Sequence, residues 1–320
     1  MMRVAILDDY QKAALRLADW GRLHPDATIA AFPDHISDEA ELAHRLHTFE
    51  CVVLMRERTQ FRKSLIERLP NLRLIVTAGM RNAAIDVDFA TERKIQVCGT
   101  EMLGYPTAEL TWGLVLGLFR RITAEHNAMH RGHFQTPELG LGLSGKTLGI
   151  LGLGRLGGLV AKYGNTFGMK VIAWSQNLTD AKAAEHGARR VEKDTLFAES
   201  DVVSIHLVLS PRSRGLVGAA ELGRMKKTAF LVNTSRGPIV DERALLDCLK
   251  GKHIAGAALD VYDIEPLPKD HPVLALDNVL LTPHLGYCTA EGYERAYANA
   301  VEDIRAFLDG KVLRPVNELR

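Results

Sequence analysis

Three short apolar runs in the second half of the chain each hand over to a residue able to act on a small carboxylic acid. Phe230-Leu231-Val232-Asn233 leads through Thr234 and Ser235 to Arg236, whose planar guanidinium can grip a carboxylate by two bonds and polarise a neighbouring carbonyl oxygen. Leu281-Thr282-Pro283 delivers His284. Reduction of a keto group needs a proton donor near neutral pH, and imidazole suits that task best. Ala257-Ala258-Leu259 ends on Asp260, and Glu265 follows just before Pro266. Singly, each has a plainer reading: a solvated arginine, a carboxylate capping a turn, a structural histidine. All three, however, fall near the C-terminal ends of expected strands, the edge of an open α/β sheet where ligands bind.

A fourth segment would hold a cofactor. Thr147 to Leu151 reads as a strand running into Gly152-Leu153-Gly154-Arg155-Leu156-Gly157, followed by helix-compatible sequence through Phe167. That is the G-x-G-x-x-G pattern in the strand-then-helix setting it requires. Gly152 permits the tight turn, Gly154 lets the backbone approach a pyrophosphate, and Gly157 lets the helix pack on the strand, so the phosphates meet the positive helix end. After the next expected strand stands Ser175, where an NAD enzyme usually carries an acid for the ribose hydroxyls. A 2′-phosphate would meet no repulsion there, yet no arginine or lysine lies between Ser175 and Asp180 to attract one. NAD or NADP both stay open.

The elements that must position these residues form two series. Arg3 to Leu7, Ala27 to Ala31, Cys51 to Met55, Leu72 to Thr77 and Ile95 to Cys98 read as strands separated by helix-like sequence. A second alternation runs through Thr147 to Leu151, Lys170 to Trp174, Asp201 to Leu207, Ala229 to Asn233, Ile254 to Leu259 and Asn278 to Leu281. Continuous apolar strands between helices mean parallel sheets covered on both faces, so the expected fold class is α/β with two doubly wound parallel-sheet domains. Between the series, Gly104 and Pro106 precede one long helix, Thr107 to Arg121, apolar around much of its circumference and so expected at a domain or subunit boundary. The final helix, Thr289 to Asp309, aligns Tyr293, Tyr297, Ala300, Ile304 and Phe307 on one face and has no strand of its own to cover. It is expected to return to the first series. The domains would then be 1–103 with 290–320, for substrate, and 104–289, for the dinucleotide.

Composition narrows the classes. With 320 residues and 47% hydrophobic content the chain can bury two cores, and a net charge of +1 argues against nucleic acid or an anionic membrane as partner. No secretory signal core is visible at the start, the apolar stretch Leu114 to Phe119 is far too short to span a bilayer, and four scattered cysteines suggest neither zinc nor disulfides. A cytoplasmic location is expected. His126, His130 and His133 share helical spacing, but Gly132 weakens that helix and nothing completes a ligand set, so no metal is expected.

Taken in order, Leu143-Ser144-Gly145-Lys146-Thr147-Leu148-Gly149 with the glycine pattern, Val202-Val203-Ser204-Ile205-His206-Leu207, Asn233 to Gly237, Leu259-Asp260-Val261, Glu265-Pro266-Leu267-Pro268 and Thr282-Pro283-His284 resemble the D-isomer-specific 2-hydroxyacid dehydrogenase family. The resemblance covers nearly the whole chain. It implies a Rossmann-type cofactor domain and a flavodoxin-like substrate domain around a cleft, hydride exchange between NAD(P)H and C2 of a small 2-oxoacid or 2-hydroxyacid, and a homodimer built through the helix after Pro106. It also implies that Arg236 binds the substrate carboxylate and carbonyl oxygen, that His284 exchanges the proton, and that Glu265 holds and charge-stabilises the imidazole. Asp260 would contact the nicotinamide carboxamide end. Arg155, Leu156, Ser175, His206, Leu207, Thr234 and Gly286 would line the cofactor, while Ala78, Gly79 and Met80 would meet substrate carboxylate and cofactor through their backbone. Two departures stand out: the missing acid at Ser175, and the cations Arg81, beside Asn82, and Arg56, either of which could reach a second anionic group on the substrate. The resemblance also admits a corepressor-like, NAD-sensing binding protein on the same scaffold, and glyoxylate or hydroxypyruvate reductases as well as phosphoglycerate dehydrogenases among the enzymes.

Overall fold

The computed structural model describes residues 1–319. The chain divides into two compact units, one made of Met1–Leu103 and the chain from Cys288 onward, the other of Gly104–Tyr287.

The first unit is a five-stranded sheet of β1 (Met2–Ile6), β2 (Ala27–Ala31), β3 (Cys51–Leu54), β4 (Leu74–Thr77) and β5 (Gln96–Gly99), in the order β2-β1-β3-β4-β5. Every pairing is parallel. All residues of β3, β4 and β5 are buried, which is why they read as unbroken apolar runs rather than alternating ones. The helix Ala290–Leu308 belongs to this unit and packs on β4. The Thr289 hydroxyl caps it by accepting from the Gly292 N–H, and Tyr293, Tyr297, Ala300 and Ile304 are buried. Beyond it the chain returns along β5, where Asn317 accepts from the Val97 N–H and Pro315 bridges to Cys98.

The second unit holds seven strands, β6 (Thr147–Leu151), β7 (Lys170–Trp174), β8 (Arg189–Arg190), β9 (Val202–Ile205), β10 (Phe230–Asn233), β11 (Gly256–Leu259) and β12 (Val279–Leu281), in the order β12-β11-β10-β9-β6-β7-β8. All of its pairings are parallel as well. The chain runs outward from β6 to β7 and β8, then crosses back to β9, so the order reverses between β6 and β9. Ligands bind at such a switch point. The two-residue edge strand β8 escapes sequence reading because Arg189 and Arg190 form no apolar run.

The helix expected over Thr107 to Arg121 is found as Pro106–Phe119, and a second helix, Ile122–His130, follows after Arg121, which takes a left-handed φ of 54°. The Pro106–Phe119 helix packs on the Arg155–Thr166 helix and on β10, β11 and β12. Trp112 stacks on Phe167 at 4.8 Å, and its indole N–H donates to the Val160 carbonyl at 3.2 Å. No helix among the described residues is long and apolar enough to cross a membrane.

Candidate active site

The glycine turn leaves β6 into the Arg155–Thr166 helix, and each glycine has a different spatial reason. Gly152 has φ +103°, and a Cβ there would lie 2.7 Å from the His206 carbonyl oxygen. Only glycine fits that conformation beside backbone. A Cβ on Gly157 would fall 2.2 Å from the Gly152 carbonyl oxygen, so its absence lets the helix close on the turn. Gly154 is the helix N-cap at φ −93°, and a Cβ there would meet nothing within 4 Å. The open space stands over the first-turn N–H groups, which an α-helix leaves without intrahelical partners. An anionic pyrophosphate fits that donor set. The exposed Arg155 and half-buried Leu156 open the helix, and the Arg155 guanidinium lies against Gly104.

Beside the turn, the Ser175 hydroxyl oxygen accepts from the Leu153 N–H at 2.8 Å. This bond fixes the turn and leaves the hydroxyl proton of Ser175 to donate outward. His206 follows β9; its Nε2 is 2.7 Å from the Ser204 hydroxyl, and its buried Nδ1 has no hydrogen-bond partner among the described residues. Burial pushes this imidazole down to about 4, so it is neutral at physiological pH. Leu207 packs on the core between β9 and β10.

The neighbouring strands β10, β11 and β12 carry the three residues on loops beyond their C-terminal ends. Asn233 clamps the Arg236 loop by donating to the Arg236 carbonyl at 3.0 Å and accepting from the Ser235 N–H at 3.0 Å. Ser235 ties the same loop to the Ile205 carbonyl at 2.7 Å. Arg236 is half-buried, and one guanidinium nitrogen donates to the Ser235 carbonyl at 2.7 Å. A Cβ on Gly237 would meet the Tyr262 carbonyl carbon at 2.1 Å. The arginine loop is therefore pressed directly on the segment that leads to Glu265. Glu265 accepts from the Tyr262 N–H at 2.9 Å with one oxygen and lies 2.6 Å from His284 Nδ1 with the other. The Tyr287 ring stands edge-on to the imidazole at 5.5 Å. His284 occupies φ +55°, a left-handed conformation that costs a non-glycine residue energy and must be held from outside.

Asp260 does that holding. Fully buried at the end of β11, it accepts from the Thr282 hydroxyl at 2.6 Å, the Leu285 N–H at 2.7 Å and the Gly286 N–H at 2.9 Å. Burial raises its pKa, and these three donors pull the other way. Gly286 is gripped on its other side by the Thr107 hydroxyl, which donates to its carbonyl at 2.9 Å. Thr234 lies with its hydroxyl 2.8 Å from that of Thr111. The roles of Thr107 and Thr111 pass unnoticed in the sequence, because nothing local marks a threonine whose partner is more than a hundred residues away.

The remaining expected site residues lie in the first unit. Ala78 continues β4, its N–H bonded to Leu54 at 2.9 Å; Gly79 has φ +91° and donates to the Thr100 hydroxyl at 3.2 Å; Met80 is exposed. The two cations separate here. Arg56 donates to the Ala78 carbonyl at 3.2 Å, and a Cβ on Gly79 would be 2.1 Å from its guanidinium nitrogen. Arg81 is exposed. Arg58 joins a cluster that sequence spacing does not reveal, donating to the Asp8 carbonyl at 2.7 Å and the Tyr293 hydroxyl at 3.0 Å with its guanidinium 4.4 Å from the Tyr10 ring centre.

Comparison with known proteins gives the family. The family model described as "D-isomer specific 2-hydroxyacid dehydrogenase, NAD binding domain" matches residues 112–286. A glyoxylate reductase of Aeropyrum pernix is 42% identical over 257 residues, 78% of this chain and 77% of its own length. A D-3-phosphoglycerate dehydrogenase of Methanocaldococcus jannaschii is 37% identical over 268 residues, 83% of this chain and 51% of its own, so the chain spans about half the length of that relative. A solved structure titled a putative D-3-phosphoglycerate dehydrogenase oxidoreductase from Ralstonia solanacearum superposes with a TM-score of 0.93 at 35% identity, covering 98% of this chain and 96% of the other. The chain belongs to the D-isomer specific 2-hydroxyacid dehydrogenase family. That is a class of oxidoreductases moving hydride between a nicotinamide cofactor and a 2-hydroxyacid.

Proposed function

We propose that the chain reduces a small 2-oxoacid, of the size of glyoxylate or hydroxypyruvate, to the 2-hydroxyacid and runs the reverse oxidation, with Arg236, Glu265 and His284 as its catalytic set. The observation that carries this reading is the 2.6 Å contact between Glu265 and His284 Nδ1, in a loop pressed on the one that bears Arg236. Arg236 orients the substrate by its carboxylate and draws charge from the carbonyl oxygen as that oxygen becomes an alkoxide. Glu265 fixes the imidazole by Nδ1, which leaves Nε2 to give the proton to that oxygen. A nicotinamide dinucleotide held by the Gly152–Gly157 turn would supply the hydride for C2, which with the proton from His284 balances the conversion of the carbonyl to the alcohol.

The unit Gly104–Tyr287 holds the dinucleotide and the other unit receives the substrate. Gly152, Gly154, Arg155, Leu156 and Gly157 seat the pyrophosphate, with Leu207, His206, Thr234, Asp260 and Gly286 along the rest of the cofactor. In the other unit, Gly79 and Met80 offer their backbone to the substrate carboxylate. Ser175, with a free hydroxyl proton and no charge, serves a ribose hydroxyl and a 2′-phosphate alike, so both NADH and NADPH are used. The chain works as a homodimer: Ile122, Met129, Phe134 and Leu139 stand 53%, 53%, 81% and 90% exposed on and after the Ile122–His130 helix, an apolar face that a second copy would cover. Light scattering should give twice the 35.3 kDa mass of the chain.

The test follows NADH and NADPH oxidation with glyoxylate, hydroxypyruvate, pyruvate and 2-oxoglutarate. His284→Ala should lower turnover by about 10²–10⁴-fold, the range for loss of a positioned acid, while fluorescence titration gives an unchanged NADH affinity. A collapse of affinity together with rate would show His284 to be a cofactor ligand instead.

A further inference from the structure

The Pro106–Phe119 helix carries two hydroxyls whose proton directions can be worked out. Thr111 is fully buried and donates to the Thr107 carbonyl at 2.7 Å, one helical turn back. A hydroxyl has a single proton. In the 2.8 Å pair with Thr234 the donor must therefore be Thr234, and Thr111 accepts. Thr107 spends its own proton on the Gly286 carbonyl at 2.9 Å.

These bonds reach both moving parts of the reaction. Thr234 lies two residues before Arg236, and Gly286 lies two residues after His284. Gly286 is held at its N–H by Asp260 and at its carbonyl by Thr107. Space is as tight as bonding: a Cβ on Gly286 would lie 3.1 Å from Thr107 and 3.2 Å from Asp260. The arginine loop leaves β10 and the histidine loop leaves β12, with β11 between them, and the ladders end at Asn233, Leu259 and Leu281, before either loop begins. Something beyond the sheet must set their separation.

We infer that Thr107 and Thr111 are positioning residues, a hydroxyl brace on the Pro106–Phe119 helix that holds the guanidinium loop and the imidazole loop at a fixed separation. The brace has a second consequence. With its proton spent inward on Thr111, the Thr234 oxygen can meet a ligand only as an acceptor, so an amino or hydroxyl donor is what it can bind. The inference rests on the catalytic roles proposed above for Arg236 and His284.

Thr111→Val keeps the shape and removes the hydroxyl, whereas Thr111→Ser keeps the hydroxyl and removes the methyl. Misplacement by about 1 Å costs on the order of 100-fold in rate, and a loosened brace should cost part of that. Thr111→Val should therefore lower kcat for the best 2-oxoacid about 10- to 30-fold with KM for NADH within about twofold, and Thr111→Ser should recover to within about threefold of the parent. Amide hydrogen exchange on the free holo-length chain provides a reading independent of turnover: in Thr107→Val the Leu285 and Gly286 amides should exchange at least about tenfold faster. A kcat for Thr111→Val within twofold of the parent overturns the brace, as does an equal loss in the Val and Ser variants, which would assign the effect to packing of the methyl. Unchanged exchange at Gly286 in Thr107→Val also overturns it. Should the parent turn over no 2-oxoacid, the proposed function fails, while the exchange result still decides whether the loop is held.

Discussion

The two parallel sheets end in edges built on different principles. At the end of β6 the first atoms that a side chain on Gly152 would strike are backbone, the His206 carbonyl oxygen at 2.7 Å and its carbon at 2.8 Å, with Leu207 Cδ2 next at 2.9 Å. At the end of β4 the atom nearest to a Cβ on Gly79 is the tip of Arg56, a long and movable side chain. One edge is locked by main chain, the other is lined by side chains that can shift. The difference suits what each would bind. A pyrophosphate is the same in every turnover and rewards a rigid cradle of N–H groups, whereas the group that distinguishes one oxoacid from another must be met by side chains.

Substitution of the glycines breaks this comparison if it is wrong. Gly152→Ala should have the largest effect, because φ +103° is strained for alanine and the backbone it strikes cannot yield. A loss of about 3 kcal/mol or more is expected from the sum of strain and overpacking, visible as a lower denaturant midpoint together with lost NADH affinity. Gly154→Ala should separate the two readouts. Its φ of −93° is ordinary and the methyl meets nothing within 4 Å, so stability should hold while NADH binding weakens by roughly 30-fold, the equivalent of about 2 kcal/mol for one overpacked methyl. In the first unit, Gly79→Ala at φ +91° should cost about 1–2 kcal/mol of backbone strain and raise KM for the oxoacid, leaving NADH affinity alone. Wild-type NADH affinity in Gly154→Ala would remove the glycine turn as the pyrophosphate seat.

The same contrast decides what could be read from the sequence. The glycine turn is legible because its three constraints fall within six residues and each demands one residue type. Arg236, Glu265 and His284 are legible because each follows its strand at the sheet edge, and strand ends can be placed from apolar runs. The support around them is not. The resemblance gives Asp260 as a cofactor contact, and the structure adds that both of its oxygens accept from the loop of His284, a role visible only once β11 and β12 lie side by side. Thr111 and Thr234 are 123 residues apart, and Arg58 and Tyr293 are 235 apart. No local pattern marks such pairs, since threonine, arginine and tyrosine satisfy many environments and only the folded chain selects one.

The finest distinction lies between Arg56 and Arg81. Both stand near the Gly79 loop in sequence, and either could reach a second anionic group on the substrate. The geometry favours Arg56: its own φ of 55° turns the chain, the Asn82 amide holds its carbonyl at 2.6 Å, and its guanidinium lies on the Ala78 carbonyl with Glu57 only 3.4 Å away. Arg81 is exposed, where a single ion contact contributes about 0–1 kcal/mol. Arg56→Ala should therefore raise KM for a dicarboxylate or phosphorylated oxoacid about tenfold more than for a monocarboxylate, the equivalent of one charge-assisted bond of roughly 1.4 kcal/mol. Arg81→Ala should move both substrates by less than about twofold. An equal loss on both substrates in Arg56→Ala would leave that arginine as a support for the Gly79 loop alone, and the adjustable edge would then owe its selectivity to other side chains.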